Sequence, residues 1–481
     1  MHSGRDVRCA CRRLDPCRTV GRRRHFDGNR WQWCSRRFRR LHRLRAGRGR
    51  RIVTGRVHLR TLGCRLNQGE IDSMARQFSA QGFEIVDRPE DAEQIIVNTC
   101  AVTEDAVRSS RHLVRQLHRA SPSAQITVTG CYAQIAPDAV AVLPGVANVV
   151  DNLQKDALVP AVTGQAVEPF DREPMQRTAP AWMHRTRAFL KVQDGCDNAC
   201  TFCVTTVARG AGRSRAEADI LAEVRLLLAM GYQEIVLTGV HLGSYGHDRG
   251  ERRGLYQLVR RLLSETDVPR IRLSSLEPWD LDEAFFDLWQ DDRLCPHLHL
   301  PLQSGCDATL RRMLRRTTQR EYAALIAAAR QAVPEVTITT DVIVGFPGET
   351  DEEFAVSRAF IESMDFAGLH VFRYSRRPGT AAARMRGHLP ESVRKARSAA
   401  LIAYSEAQEQ RHHLRFIGRT MEVLWENVAG STEDGFINVG YTRNYLRVMS
   451  VHPRPLTNLC TPARLVGYDS TRRQLNAVPS V

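Results

Sequence analysis

No uninterrupted apolar run in these 481 residues reaches the ~18 that a membrane-crossing helix needs. A basic, then apolar, then small-residue leader is also missing from the start. Together these absences argue against a membrane or secreted protein and point to the cytoplasm. Lysine is missing altogether from residues 1–51, which hold 18 arginines against only Asp6, Asp15 and Asp27. That surplus of +15 leaves just +1 of the formal net charge of +16 on the remaining chain. The high overall charge is therefore no evidence for a basic folded body. The Arg-rich extension, residues 1–54, could bind phosphates by charge alone. It could equally be solvated and unfolded, or lie upstream of the true start, since the first convincing strand pattern begins near residue 56. Its Cys9, Cys11, Cys17, His25 and Cys34 match no familiar zinc spacing.

What the chain does have is cysteine, 13 in all. An odd count in a long chain without a leader favours reduced thiols used for metal chemistry over disulfides. Cys196, Cys200 and Cys203 stand in the stretch Gln193-Asp194-Gly195-Cys196-Asp197-Asn198-Ala199-Cys200-Thr201-Phe202-Cys203. Structural zinc sites are closed and four-coordinate, usually built from two short ligand pairs. A triplet without an obvious fourth ligand suits three irons of a cubane cluster instead. The fourth iron is then open to a cofactor or substrate.

Beyond the extension, apolar runs of strand length alternate with helical patterns, the signature of α/β domains with parallel sheets. The first unit, residues 55–162, has predicted strands at 57–61, 94–98 and 125–129 and helices near 70–80, 104–119 and 133–141. Residues 163–184, with Pro169, Pro174 and Pro180, read as a linker. A second series, residues 185–415, has six predicted strands at 189–192, 234–238, 270–273, 297–300, 336–340 and 369–372, followed by a helix over 391–414. Six strands are too few for a closed eight-stranded barrel, so an open partial (β/α)6 barrel is expected. From 416 to 481 short strands, predicted at 420–425, 435–440 and 445–448, suggest a small antiparallel β-barrel.

A second set of thiols is spread widely along the chain but shares one context. Thr61-Leu62-Gly63-Cys64, Asn98-Thr99-Cys100 and Thr129-Gly130-Cys131 each place a cysteine directly after a predicted strand. Carboxyl ends of parallel strands share one edge of the sheet, where ligands bind. Cys64, Cys100 and Cys131 should therefore converge. Cys295, Cys306 and Cys460 show no such pattern and read as packing residues.

The two cysteine sets, in this order, resemble the methylthiotransferase branch of the radical S-adenosylmethionine (SAM) superfamily. Among its subfamilies, Thr61-Leu62-Gly63-Cys64-Arg65-Leu66-Asn67-Gln68-Gly69-Glu70, Asn98-Thr99-Cys100-Ala101-Val102-Thr103 and Lys191-Val192-Gln193-Asp194-Gly195-Cys196 are similar to enzymes acting on N6-threonylcarbamoyladenosine in tRNA. Neither the Tyr-Gly-Cys-x-Met-Asn start of the isopentenyladenosine enzymes nor the Gly-Cys-Pro-Lys-Asn pattern of the ribosomal-protein aspartate enzymes is present. The chain departs from the family by Thr205-Thr206-Val207 before Ala208-Arg209-Gly210, where Pro-Tyr is usual, and by Cys306, where Ser is usual.

This resemblance implies two [4Fe–4S] clusters, one on Cys196, Cys200 and Cys203 and an auxiliary one on Cys64, Cys100 and Cys131. It further implies that SAM cleaved at the first cluster gives a 5′-deoxyadenosyl radical that abstracts hydrogen from carbon 2 of adenine. A second SAM would methylate sulfur at the auxiliary cluster, two SAM being used per product. Gly239, Glu277, Gln303 and Asp341 are candidate SAM contacts at strand ends, although Glu277 and Asp341 could instead cap a following helix. The terminal barrel resembles the RNA-gripping TRAM module, with Arg443, Tyr445 and Arg447 as candidate contacts to an anticodon loop. The implied partners are tRNA, an electron donor such as flavodoxin or ferredoxin, and a sulfur donor, the enzyme acting as a monomer. The alternatives are a methylthiotransferase for isopentenyladenosine or for a ribosomal-protein aspartate, a radical SAM methylase, and a non-enzymatic iron–sulfur RNA-binding or redox-sensing protein.

Overall fold

The computed structural model describes residues 54–165 and 186–480. The Arg-rich extension and nearly all of the expected linker lie outside the described residues. The first sheet has five strands: β1 (Arg56–Thr61), β2 (Glu84–Ile85), β3 (Gln94–Thr99), β4 (Gln125–Gly130) and β5 (Val146–Val149). Their order is β2-β1-β3-β4-β5, with every pairing parallel. Ile95, Ile96 and Val97 on β3 are all fully buried. Such a continuous apolar run marks a central parallel strand covered on both faces.

Helix α1 (Arg65–Ala80) follows β1, α2 (Glu104–Ala120) follows β3 and the short α3 (Cys131–Ile135) follows β4. The Thr103 hydroxyl accepts from the amide of Ala106, and Glu104 and Asp105 occupy the first turn of α2 against His118 and Arg119 in its last. That charge order suits the helix dipole. The predicted helix over 133–141 is divided in two, because Pro137 opens a new turn and cannot donate within the old one.

Six parallel strands form the second layer. β6 (Arg187–Lys191), β9 (Glu234–Thr238) and β10 (Arg270–Leu273) make one three-stranded group, while β11 (His297–His299), β12 (Thr337–Val344) and β13 (Gly368–Arg373) make another. Parallel bridges Ile271↔Leu294 and Ser275↔His299 join the groups into one arc. The short β7 (Gln193–Asp194) and β8 (Arg213–Ser214) pair antiparallel beside it. Helices including α4 (Thr205–Arg209), α5 (Glu217–Ala229), α6 (Gly254–Glu265), α7 (Gln319–Ala332), α8 (Asp351–Ser363) and α9 (Glu391–Leu414) connect or flank the strands. The core buries Leu237, Leu273, Leu298 and Ile338 against helix residues such as Leu258, Ile326 and Leu401.

The chain ends in a closed five-stranded barrel, β14 (Thr420–Thr432), β15 (Gly435–Thr442), β16 (Arg447–His452), β17 (Cys460–Asp469) and β18 (Gln474–Pro479). Four of its junctions are antiparallel, as expected, and one, β16 with β18, is parallel. The strand predicted over 445–448 begins only at Arg447, since Tyr445 takes the left-handed backbone with φ of 71°.

Candidate metal-cluster and substrate site

β1, β3 and β4 are neighbours in the first sheet, so the turns after them bring Cys64, Cys100 and Cys131 to one edge. Cys100 and Cys131 are buried and Cys64 is exposed. A methyl carbon added to Gly63 would stand 2.9 Å from the Cys100 sulfur, so the turn beside Cys64 reaches its neighbour closely. Burial pushes the Cys100 thiol up to about 11, with Cys131 and Cys64 adding to the shift. A metal bound there would have to displace the Cys100 proton.

The second set lies in the loop after β7. Cys196 donates its amide to the Gly210 carbonyl at 3.0 Å, closing the loop at its base. The Gln193 amide group donates to the carbonyls of Asp194 (3.0 Å) and Gly195 (2.9 Å). Amides of Asn198 and Thr205 point at the sulfurs of Cys196 and Cys203, each at 3.4 Å. Arg315 reaches the Cys200 sulfur at 3.7 Å. Burial would lower His241, but hydrogen bonds to Asp280 and Cys196 outweigh it and raise the imidazole to about 10. A cationic ring therefore stands beside Cys196.

Thiolates on one tetrahedral zinc ion would lie about 3.8 Å apart, given Zn–S bonds of ~2.3 Å. Neither cysteine set has its sulfurs gathered within 4.8 Å; among the described residues only His299, Asp341 and His370 form such a compact group. Donors aimed at the sulfurs suit metal-bound thiolates, whose negative charge they stabilise.

A buried ion network joins the sets. Arg209, in the last turn of α4, donates through Nη1 to Glu70 Oε1 and Asp194 Oδ1, both at 2.9 Å. Its Nη2 donates to Asn67 Oδ1 at 2.7 Å. Lys155 Nζ lies 2.8 Å from Glu70 Oε2 and 3.2 Å from Asn98 Oδ1. Lys191 lies within 3.6 Å of Glu70 and 3.5 Å of Asp194. Burial would raise Glu70, but Lys155, Arg209 and Lys191 hold it well below the usual carboxylate range. Lys191 also pairs with the exposed Asp156 at 3.1 Å. Cys131 bears electrostatically on both Lys155 and Arg209, so two buried cations stand near that thiol.

The four candidate SAM contacts fall in different surroundings. Gly239 packs under Gln193, whose Oε1 would stand 3.0 Å from an added methyl carbon. Glu277 caps no helix through its side chain. It pairs with Arg315 at 2.6 Å, and Arg315 also reaches Cys200, so Glu277 sits beside the cysteine loop. Gln303 takes φ of 72° and bonds through its backbone to Asp341 and Ile343, each at 2.8 Å. Asp341 lies inside β12 and not at a helix cap; His299 and His370 approach its Oδ1, each at 3.2 Å.

Of the proposed RNA contacts, only Arg447 is exposed. Arg443 donates to the Pro269 carbonyl at 3.2 Å. Tyr445 turns inward: its hydroxyl accepts from Arg65 (3.0 Å) and Arg187 (3.3 Å), and its ring centroid lies 4.6 Å from that of His297. The reading of Tyr445 as an RNA-stacking residue is overturned by its left-handed backbone, which carries the ring into the second layer. Sequence reasoning missed the roles of Glu70, Lys155 and Arg209. The available signal was charge at positions buried by α1, α4 and the 3-10 turn Lys155–Ala157.

Comparison with known proteins gives two matching profiles: Uncharacterized protein family UPF0004 over residues 56–151 and the Radical SAM superfamily over residues 190–361. The chain is 38% identical to a threonylcarbamoyladenosine tRNA methylthiotransferase (MtaB) of Bacillus subtilis, covering 82% of this chain and 90% of that protein. A protein of the same description from Thermotoga maritima is 36% identical over 77% of this chain and 86% of its own. The chain belongs to the threonylcarbamoyladenosine tRNA methylthiotransferase family. Membership in this radical SAM family implies SAM and a [4Fe–4S] cluster as cofactors. This methylthiotransferase is also 33% identical to a tRNA-2-methylthio-N(6)-dimethylallyladenosine synthase of Geobacillus thermodenitrificans, over 87% of this chain and 82% of the relative. A solved radical SAM methyltransferase, TsrM from Kitasatospora setae, shares the fold at a TM-score of 0.51 and 16% identity, covering 68% of this chain and 77% of the other. Among the described residues no helix is long and apolar enough to cross a membrane.

Proposed function

We propose that the chain methylthiolates carbon 2 of N6-threonylcarbamoyladenosine in a tRNA anticodon loop, using two [4Fe–4S] clusters, one on Cys196, Cys200 and Cys203 and one on Cys64, Cys100 and Cys131. The observation that carries this reading is the Arg209 network, which ties the flanks of both cysteine sets into one buried assembly. Sulfur insertion needs such coupling, because hydrogen removal and sulfur delivery must meet at one carbon. When bound, the first cluster with SAM would supply a carbon-centred radical, and the second would supply the sulfur of the methylthio group.

The chain's own residues hold and orient. Amides of Asn198 and Thr205, with Arg315 and His241, stabilise negative charge on the loop sulfurs. Gln193 fills the space over Gly239 and accepts the His241 amide at 2.9 Å, which packs the loop base against β9 and keeps water from it. Gly239, Glu277, Gln303 and Asp341 remain the candidate SAM contacts. The terminal barrel would grip the RNA through surfaces other than Tyr445. An external reductant such as flavodoxin or ferredoxin and a sulfur donor complete the cycle, in a cytoplasmic monomer.

Mass spectrometry of tRNA nucleosides from a deletion strain, with and without the gene restored, tests this reading. Loss of 2-methylthio-N6-threonylcarbamoyladenosine in the deletion, and its return on complementation, is expected. Unchanged levels in a strain without a redundant enzyme would sink it. Anaerobic reconstitution should load about eight irons per chain and about four after Cys100→Ala; a wild-type value of four would reject the auxiliary cluster.

A further inference from the structure

Arg65 directly follows Cys64 and opens α1, a 16-residue helix with no acidic residue in its first turn and no side-chain cap. A cation there opposes the helix dipole, whose positive end favours anions. The fold does not relieve that arrangement: among the described residues Arg65 forms no ion pair. Its Nη2 donates to the Tyr445 hydroxyl at 3.0 Å, and its guanidinium lies 5.4 Å from that ring's centre. A guanidinium carries five N–H donors, so this positive end is set for a further acceptor.

Contacts lead from Arg65 along the inner wall of the strand arc. The Tyr445 ring packs on His297, whose Nε2 lies 3.5 Å from Thr339 Oγ1. Thr339 Oγ1 lies 2.9 Å from His299 Nδ1, and His299 and His370 both approach Asp341. Asp341 thus has its own partners, whereas Arg65 has no carboxylate partner among the described residues. Arg65 also adjoins a thiol of the set proposed to deliver sulfur.

Resting on the proposed reaction, the substrate brings the missing anion. A threonine joined through its amino group to a carbamoyl on N6 keeps a free carboxylate. On the adenine ring only N1 separates C6 from C2, so the N6 substituent and the reacting carbon share one edge. With carbon 2 at the Cys64 side of the site, the threonyl group lies toward the residue next to Cys64. We propose that Arg65 binds the threonyl carboxylate of the substrate nucleoside, and so selects threonylcarbamoyladenosine over an adenosine with an uncharged N6 group. Arginine suits this task because its planar fork can engage both carboxylate oxygens.

The test measures binding and turnover by the cluster-loaded enzyme with three anticodon stem-loops identical except for the target base: threonylcarbamoyladenosine, isopentenyladenosine or plain adenosine. For Arg65→Gln, affinity and kcat/KM on the threonylcarbamoyl loop should fall roughly 10- to 100-fold, with little change in affinity for the other two. Arg65→Lys should recover part of the loss, since it restores charge without the fork. Iron content of the variants establishes that the clusters are loaded. An equal loss of affinity on all three loops would identify a phosphate contact or a general electrostatic effect and overturn the proposal, as would no loss on any. If the wild type binds the threonylcarbamoyl loop preferentially but forms no methylthio product, the reaction fails while the carboxylate site stands. Product formed equally well by wild type and Arg65→Gln upholds the reaction and rejects the site.

Discussion

Arg209 and Glu70 stand 2.9 Å apart, each about 2% exposed at the side chain, and bridge the helix behind Cys64 to the one after Cys203. Desolvation makes a lone charge costly in such a place, so the partners depend on one another. Asp194 completes the link, since its Oδ1 accepts both the Arg209 side chain and the Gly195 amide at 2.8 Å.

Arg209→Met should destabilise the chain by about 3–5 kcal/mol, because Glu70 and Asp194 lose a buried cation. Denaturant unfolding followed by circular dichroism measures this. In the variant that still loads both clusters, 5′-deoxyadenosine should be formed in excess over methylthiolated product. A variant with wild-type stability and wild-type ratio would show that the network does not couple the sites.

Gly195 occupies φ of 71°, and a methyl carbon there would stand 1.9 Å from the Ala211 carbonyl oxygen. Backbone cannot yield as a side-chain tip can. Gly195→Ala should therefore spoil only the Cys196 loop, leaving about four irons per chain from the other cubane. Full iron loading would contradict that local effect.

Tyr445 is held by the guanidiniums of Arg187 and Arg272 as well as by Arg65, at 5.5, 4.7 and 5.4 Å from its ring centre. Burial alone would raise its phenol, yet the charges of Arg65, Arg187 and Arg272 hold it below the ordinary tyrosine range. Tyr445→Ala should cost about 3–5 kcal/mol through lost packing, whereas Tyr445→Phe should cost about 1 kcal/mol through lost hydrogen bonds. Limited proteolysis between α9 and β14 should accelerate only in the alanine variant.

His412 supplies a pH test. Burial, with His413 and Arg415 adding, lowers its imidazole from 6.5 to about 4 in the fold. The unfolded chain therefore binds the proton more readily. Stability is therefore full above pH 6.5 and declines as pH falls toward 4, by about 3 kcal/mol in total. Melting temperatures between pH 5 and 7.5 should rise with pH, and His412→Gln should flatten part of that rise. His297, also buried and held well below its ordinary value, keeps some slope in the variant.

The alternation of apolar strands with amphipathic helices exposed most of the fold in the sequence, because parallel strands buried on both faces carry unbroken runs such as Gln94-Ile95-Ile96-Val97-Asn98. The two-residue β2 and the half-exposed β5 lack such a run. The position of Cys64, Cys100 and Cys131 after strands was legible for the same reason. Their bracing by Arg209 and Lys155 was not, since elements as short as Thr205–Arg209 and Lys155–Ala157 carry no periodic pattern that marks a buried charge. Tyr445 was misleading: composition shows an aromatic between arginines, but its backbone conformation decides whether the ring faces RNA or the interior.

Because β1, β3 and β4 lie side by side, the pitch of hydrogen-bonded strands, about 4.8 Å, and not the length of chain between them, governs how far apart Cys64, Cys100 and Cys131 stand. Insertions or deletions in the intervening surface loops can therefore accumulate without disturbing the thiol geometry. A one-residue slip in any of these strands would turn its cysteine away from the other two. Length variation between the cysteines is tolerable in this architecture, whereas register variation within the strands is not.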